Sequence, residues 1–324
     1  MSKLVTVFGA SGLAGRHTVR ALAKDGWRIR AVGRHPNLAN YLQPAGFPGQ
    51  IQLFKGNVGD DDSVALALKG ADAAINLTGV LFGHGEQSFE AIHVDAARRI
   101  GRLAREAGVK SLVHISAIGA NPDADAHYAQ SEGDGENALR EEYPDATILR
   151  PSLMFGPEDA FFNKFAALAR ISPVLPLIGG GHTKFQPVFV GDVAAAVLRA
   201  MNDPETRGKT YELGGPTVYT FKELLQFILH ETARKRLLLP WPFFLASINA
   251  FFLQMPSLTL PIAPLLTVDQ VRLLKTDNVV SEGALTFADL GIVPDAMEAV
   301  VPSYLWRFRP KGQFQVVSEA VDTE

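Results

Sequence analysis

The sequence predicts an α/β fold: a doubly wound parallel sheet covered by helices on both faces, with a smaller C-terminal lobe. Three observations carry that prediction. The chain opens on an apolar run, Leu4 to Phe8, that meets glycines at Gly9, Gly12 and Gly15 and passes into helix-like sequence from Leu13 to Ala23. Short apolar runs then alternate with amphipathic stretches, the rhythm of strand–helix–strand units in a parallel sheet. At 324 residues and 47% apolar, the chain can build one large α/β domain or a core domain plus a lobe, and global disorder is excluded.

The opening stretch has a specific chemistry. A buried strand, a glycine turn and a helix N-terminus together grip a pyrophosphate through backbone N–H groups and the helix dipole. Gly9 turns out of the strand, Gly12 lets the backbone approach the phosphates, and Gly15 lets the helix pack close to the strand. With Ser11 and Leu13 between them, Gly9, Ser11, Gly12, Leu13 and Gly15 are candidate dinucleotide contacts, in a Rossmann-type arrangement.

Composition narrows the remaining classes. The net charge of −3 offers no electrostatic case for nucleic acid. Cysteine is absent, which rules out disulfides, thiolate zinc sites, a cysteine nucleophile and cysteine-ligated iron–sulfur clusters. The eight histidines are scattered without metal-ligand spacing, so no metal site is expected. The start, MSKLVTVFGA, has too short an apolar run for a signal peptide, and a location on the cytoplasmic side is expected.

Strand two, Arg28 to Val32, ends in Gly33-Arg34-His35 where an NAD-selective fold would carry a carboxylate for the ribose 2′-hydroxyl. A guanidinium at Arg34, with Arg16 as a second, suits a 2′-phosphate, so NADPH is the expected cofactor. Ile51 to Lys55 reads as strand three, and Asn57 and Val58 after it belong beside the adenine. Asp60 to Ser63 starts a helix, and Ala71 to Leu77 is strand four. Its end, Leu77-Thr78-Gly79, reaches the cofactor's middle. A long helix is expected from Ser88 to Ala107, with Arg98, Arg99, Arg102 and Arg105 toward solvent. Ser111 to Ile115 is strand five, leading to Ser116. Ala146 to Leu149 is strand six, leading to Pro151 and Ser152, candidate neighbours of the nicotinamide.

On GASGLAGR, GNVGD, the strand ending NLTGV, VHISAIGA, the Tyr128 helix and LRPSLMFGPED, the chain resembles the atypical, extended branch of the short-chain dehydrogenase/reductase superfamily. On PDATILRPSLMFGPEDAFFNKFAALAR, FQPVFVGDVAAAV and LLLPWPFFLASINAFF, it more narrowly resembles the NADPH-binding accessory subunits of respiratory complex I, the NADH:ubiquinone oxidoreductase. The broad resemblance covers residues 1 to about 235, and the narrow one continues to about 300.

Reductases of that superfamily pair a serine after strand five with Tyr-x-x-x-Lys on the next helix, where the lysine lowers the tyrosine pKa for proton donation. Ser116 and Tyr128 match the first two positions, but Glu132 stands where the lysine belongs. A carboxylate there disfavours a Tyr128 phenolate and offers no ammonium to the ribose. Gly133 and Gly135 weaken the same helix. The site is therefore expected to be degenerate, with Ser116 and Tyr128 kept as cofactor contacts.

In the second half, Glu158 to Arg170 reads as a helix with Phe161, Phe162, Phe165 and Leu168 on a core-facing side. Phe185 to Val190 reads as a strand, Asp192 as the cap of a helix to Met201, Tyr211 to Leu213 as a strand, and Thr220 as the cap of a helix from Phe221 to Ala233. Arg234-Lys235-Arg236 then precedes Leu237 to Thr267, a run with five prolines and no charged residue. Its longest proline-free piece, Phe243 to Met255, is too short to span a bilayer; behind the basic cluster, the run suits docking on a membrane surface or a membrane protein, the alternative being the core of a substrate lobe. A helix from Thr267 to Thr276 follows, with Asp269, Arg272 and Lys275 on a polar face.

The expected organisation is an NADP-binding core at 1–150, an interleaved C-terminal lobe at 151–309 with the docking segment 237–267, and a mobile tail at 310–324. The resemblance implies a non-catalytic accessory subunit of complex I, peripheral on the cytoplasmic face of the inner membrane near the quinone-side junction, with the other subunits and the membrane surface as partners. The alternative is a soluble NAD(P)-dependent reductase, epimerase or isomerase acting on a small or isoprenoid-like substrate.

Overall fold

The computed structural model describes residues 3–83, 85–259, 264 and 266–315. The first six strands are β1 (Leu4–Phe8), β2 (Arg28–Gly33), β3 (Ile51–Lys55), β4 (Ala73–Asn76), β5 (Ser111–Ile115) and β6 (Thr147–Pro151). They alternate with helices α1 (Leu13–Lys24), α2 (Asp61–Leu68), α3 (Ala96–Glu106) and α4 (His127–Glu142). Beyond β6 come short strands β7 (Met154–Phe155), β8 (Val174–Ile178), β9 (Lys184–Phe185) and β10 (Val188–Phe189), and then β11 (Thr210–Leu213), β12 (Tyr219–Thr220) and β13 (Leu237–Trp241). The later helices are α5 (Phe161–Ile171), α6 (Val190–Asn202), α7 (Phe221–Glu231), α8 (Phe243–Thr259) and α9 (Val268–Leu273).

The main sheet has seven parallel strands in the order β11-β6-β5-β4-β1-β2-β3. β1 shows why it is covered on both sides. Val5 and Val7 face one side, Thr6 and Phe8 the other, and all four are fully buried. Thr6 meets its one polar need by donating to Ala67 O of α2 at 2.7 Å. On the valine side, Val19 and Leu22 of α1 pack with Val193 and Val197 of α6. On the other, Val64 and Leu68 of α2 pack with Ile100 of α3 and Leu139 of α4. The chain reverses between β1 and β4, so both strands' carboxyl ends open on one crevice, where such sheets bind ligands.

The chain after Pro151 builds a core of its own and also returns to this sheet through β11. Phe155, Phe162, Leu224 and Leu225 are buried there, and Phe161, Phe165 and Phe221 lie in ring contact. The phenylalanine side of α5 therefore faces the core, as its spacing predicts.

Several elements differ from the sequence expectation. The helix expected from Ser88 opens with a π turn over Glu90–Asp95 before α3. That widened turn presses the His93 carbonyl against Gly135, where a Cβ would lie 2.2 Å from His93 O. Gly133 likewise fits against Pro122, 2.6 Å from where its Cβ would be. The two glycines expected to weaken α4 are what allow it to pack, and the helix runs unbroken. The α3 arginines are not simply solvated: Arg99 and Arg102 converge on Asp61, and Arg105 pairs with Glu142 at 2.9 Å. Asp192 is not the cap of α6. It lies inside the first turn and accepts from Asp295 N at 2.7 Å. Thr220 does cap α7, in a reciprocal box with Glu223.

The uncharged run divides in two. β13 pairs in parallel with β8, and α8 extends to Thr259, past Pro256. Residues 260–263 and 265 of the run, and 316–324 of the expected tail, lie outside the described residues. Among the described residues, no helix is long and apolar enough to cross a membrane.

Candidate functional site

The crevice is built on the glycine turn. Gly9 has φ +76°, and a Cβ there would lie 2.5 Å from Leu77 O at the end of β4, so glycine is required. A Cβ on Gly15 would lie 2.2 Å from Gly9 O, which brings α1 against the strand. Gly12 is different: an added Cβ would meet only Gly9 O, at 3.4 Å, so the outer side of the turn is open. Gly12 caps α1 with no side-chain hydrogen bond, and the first turn carries no acidic residue. An open glycine cradle at an uncapped, unneutralised helix end fits a pyrophosphate.

The two candidate 2′-phosphate arginines are placed unequally. Arg34 donates from Nη2 to the neutral amide Oε1 of Gln87 at 3.0 Å. Arg16 lies over the Tyr41 ring at 4.8 Å, pairs with Glu158 at 3.3 Å and donates to Ser11 O at 3.2 Å. Its charge is already matched by a carboxylate, so Arg34 is the better phosphate partner.

Around the rest of the crevice, Asn57 folds back to accept from Gly59 N at 3.0 Å, and Val58 O accepts from Arg99 at 2.9 Å. Leu77 is half-buried, and Thr78 donates from its backbone N to Asn76 Oδ1 at 3.1 Å. Gly79 lies beside His93, whose Nε2 accepts from Val80 N at 3.1 Å. Because Nε2 accepts, the proton sits on Nδ1, shared with Ser131 Oγ at 2.8 Å, and Ser131 donates on to Tyr128 O. Burial holds the His93 pKa down to about 4, so His93 is neutral beside Glu132, 3.7 Å away. Pro151 ends β6, and the Ser152 hydroxyl is bound to Asn278, 2.6 Å from its Oδ1.

Tyr128, Glu132 and Glu136 stand one turn apart along one face of α4. Burial, with the like charge of Glu136 second, pushes the Glu132 carboxyl up to about 8, against the pull of the Tyr128 hydroxyl. Glu132 is therefore mainly protonated at neutral pH, which corrects the fixed carboxylate expected from its position. The Tyr128 phenol is raised, as expected, but burial is the main cause and Glu132 the lesser one. Ser116 donates inward to Glu136 Oε1 at 2.6 Å. Glu136 also takes a bidentate pair from Arg150, at 2.8 and 2.7 Å, and this holds the Arg150 pKa up. The position that would activate the tyrosine holds a neutral acid, and the Ser116 proton is committed to a buried carboxylate.

Sequence reasoning missed Glu136, Arg150 and His93. Glu136 was within reach, since it continues the Tyr128–Glu132 face by one more turn. Asp269 was misread. It belongs to no free polar face, because its carboxylate accepts the backbone N–H groups of His127 and Tyr128 at 2.7 and 3.0 Å.

The fold and the crevice are those of a Rossmann-type nucleotide-binding domain, with Glu132 one turn after Tyr128 on α4. A family model described as NAD(P)H-binding matches residues 9–204. An NADPH-dependent quinone oxidoreductase of Escherichia coli, solved with NADPH, shares the fold with a TM-score of 0.72 and 21% identity, over 93% of this chain and 99% of that one. The chain is 34% identical to the mitochondrial NADH dehydrogenase [ubiquinone] 1 alpha subcomplex subunit 9 of Arabidopsis thaliana, over 99% of this chain and 82% of that protein. The subunit of the same name from Rattus norvegicus is 33% identical, over 94% of this chain and 80% of its own. The chain belongs to this family of NAD(P)-binding NADH:ubiquinone oxidoreductase subunits.

Proposed function

We propose that this chain is an accessory subunit of respiratory complex I that holds NADPH without turning it over at an enzyme's rate. The observation that carries the reading is Glu132, buried and mainly protonated one turn from Tyr128, in a crevice whose glycine cradle still suits a dinucleotide. Gly9, Ser11, Gly12, Leu13 and Gly15 would hold the pyrophosphate, and Arg34 the 2′-phosphate. Asn57 and Val58 would flank the adenine, and Leu77, Thr78 and Gly79 the middle. Tyr128, Pro151 and Ser152 would close the nicotinamide end, with Ser116 behind them. When bound, the dinucleotide would supply charge and buried surface that order the crevice.

The reading extends to one surface. Phe244, Ile248, Phe251, Phe252 and Met255 form an exposed stripe along α8, with Phe244 and Phe252 each 64% exposed, while Ala246 and Ala250 face inward. A soluble monomer rarely leaves such a patch open, so the stripe supports contact with other complex I subunits at the membrane and quinone-side junction, on the cytoplasmic face of the inner membrane. Phe243 is not part of it. It packs with Ile178 and Ala246, and its ring would lie 2.2 Å from a Cβ on Gly179. The basic residues before β13 are mostly engaged too, Arg234 with Phe308 O and Arg236 with Ala169 O.

The test is direct. Nucleotide released from the purified protein is identified, and NADPH oxidation is followed with a panel of carbonyl compounds. Tightly held NADPH with negligible turnover is expected. Turnover at about 1 per second or more, an ordinary enzyme rate, overturns the non-catalytic reading and favours a reductase.

A further inference from the structure

The nicotinamide end of the crevice is assembled by a distant part of the chain. The first N–H groups of α4 have no cap from their own segment, since Ala126 precedes the helix with no side-chain hydrogen bond. Asp269, on α9, supplies it, one carboxylate oxygen to His127 N and the other to Tyr128 N. Nine residues on, Asn278 ties the two neighbouring loops together. Its Oδ1 and backbone O accept from Ser152 Oγ at 2.6 and 2.9 Å, and its Nδ2 donates to Ile118 O at 3.1 Å. Asn278 is itself pinned, its N donating to Lys184 O at 2.8 Å and its O accepting from Gln186 N at 3.1 Å. Between them, Asp277 accepts from Lys184 N at 2.8 Å, and Leu274 O accepts from Thr183.

One stretch, 267–278, thus sets the start of the Tyr128 helix, the loop after β5 and the loop after β6. Those three elements carry the residues assigned above to the nicotinamide end. We propose that Asp269 and Asn278 are positioning residues for the dinucleotide site, so that NADPH binding and the ordering of this strap are one linked equilibrium. The proposal rests on the reading of the crevice as an NADPH site. A group that binds only the assembled crevice stabilises the contacts that assemble it, and loosening those contacts lowers its affinity by the same free energy.

The experiment uses the full chain. NADPH affinity is measured by calorimetry for the unmutated protein, Asp269→Ala, Asp269→Asn and Asn278→Ala. Amide hydrogen exchange over 266–280 and 127–132 is compared with and without NADPH. NADPH is expected to slow exchange in both segments of the unmutated protein. Asp269→Ala is expected to bind NADPH roughly tenfold more weakly and to lose the protection over 266–280, on the scale of one charge-assisted backbone hydrogen bond. Asp269→Asn, which keeps one carbonyl acceptor, should fall between. A purely structural aspartate would lower the melting temperature without abolishing NADPH-dependent protection, and that result overturns the proposal. So does normal NADPH binding to the unmutated protein with unchanged exchange over 266–280, a measurement that needs no variant to fold. Absence of any NADPH binding instead overturns the cofactor reading itself, and the proposal with it.

Discussion

Replacing Glu132 by Gln tests the electrostatics of the altered helix most sharply. The Glu132 carboxyl rises from its ordinary 4.5 to about 8 on folding, so the folded chain holds this proton more tightly than the unfolded one. The associated stability is fully present below about pH 4.5 and is lost progressively as pH rises towards about 8. At about 1.4 kcal/mol per pKa unit, and with part of the effect shared with Glu136, the loss is about 3–5 kcal/mol. Gln fills nearly the same volume and carries no charge at any pH. The variant should match the unmutated protein near pH 5 and exceed it by about 3–5 kcal/mol near pH 8.5. His93 and His114, both held near 4 by burial, act with the opposite sign: their contribution is lost as pH falls from about 6.5 towards 4. They remain in both proteins, so the difference between the two curves isolates Glu132. Urea unfolding from pH 5 to 9, followed by circular dichroism, measures that difference. Parallel curves with a constant offset would refute the reasoning, since they would mean that Glu132 stays ionised throughout.

Two other changes separate the remaining roles. Arg34→Ala should weaken NADPH by about 1.5–3 kcal/mol while leaving NADH nearly unchanged, because the guanidinium is the group offered to the 2′-phosphate. Equal losses for both nucleotides in calorimetry would assign Arg34 to the Gln87 contact alone. Replacing Phe244, Ile248, Phe251 and Phe252 together with Ser should release the chain from respiratory membranes while preserving NADPH binding, because all four are exposed. Loss of NADPH with aggregation would place the stripe in the core, and retention on the membrane would move the docking surface elsewhere.

Much of this protein could be read locally. The glycine spacing, the apolar runs and the capping residues placed all six leading strands, and most helices, within a few residues of where they fall. Each of those signals is a property of the backbone over one turn or one strand: a φ only glycine adopts, a period of two or 3.6, a hydroxyl before a helix. Glu132 could be read the same way, since four residues is one turn of whatever helix forms there.

What the tertiary structure alone decided are quantities with partners far along the chain. Position shows that Glu132 is acidic, but its proton is held by burial and by Glu136, whose own charge is matched by Arg150 from a strand end. Composition shows an apolar run, but only the packing of Ala246, Ala250 and Val271 decides that Phe243 turns in while Phe244, Phe251 and Phe252 turn out. The cap of the Tyr128 helix comes from Asp269, 142 residues away in sequence. A helical period fixes a residue's angle about its own axis and is silent on which neighbour will lie against that angle. That neighbour is chosen by how the sheet, its crossing helices and the returning C-terminal strap bury their faces together.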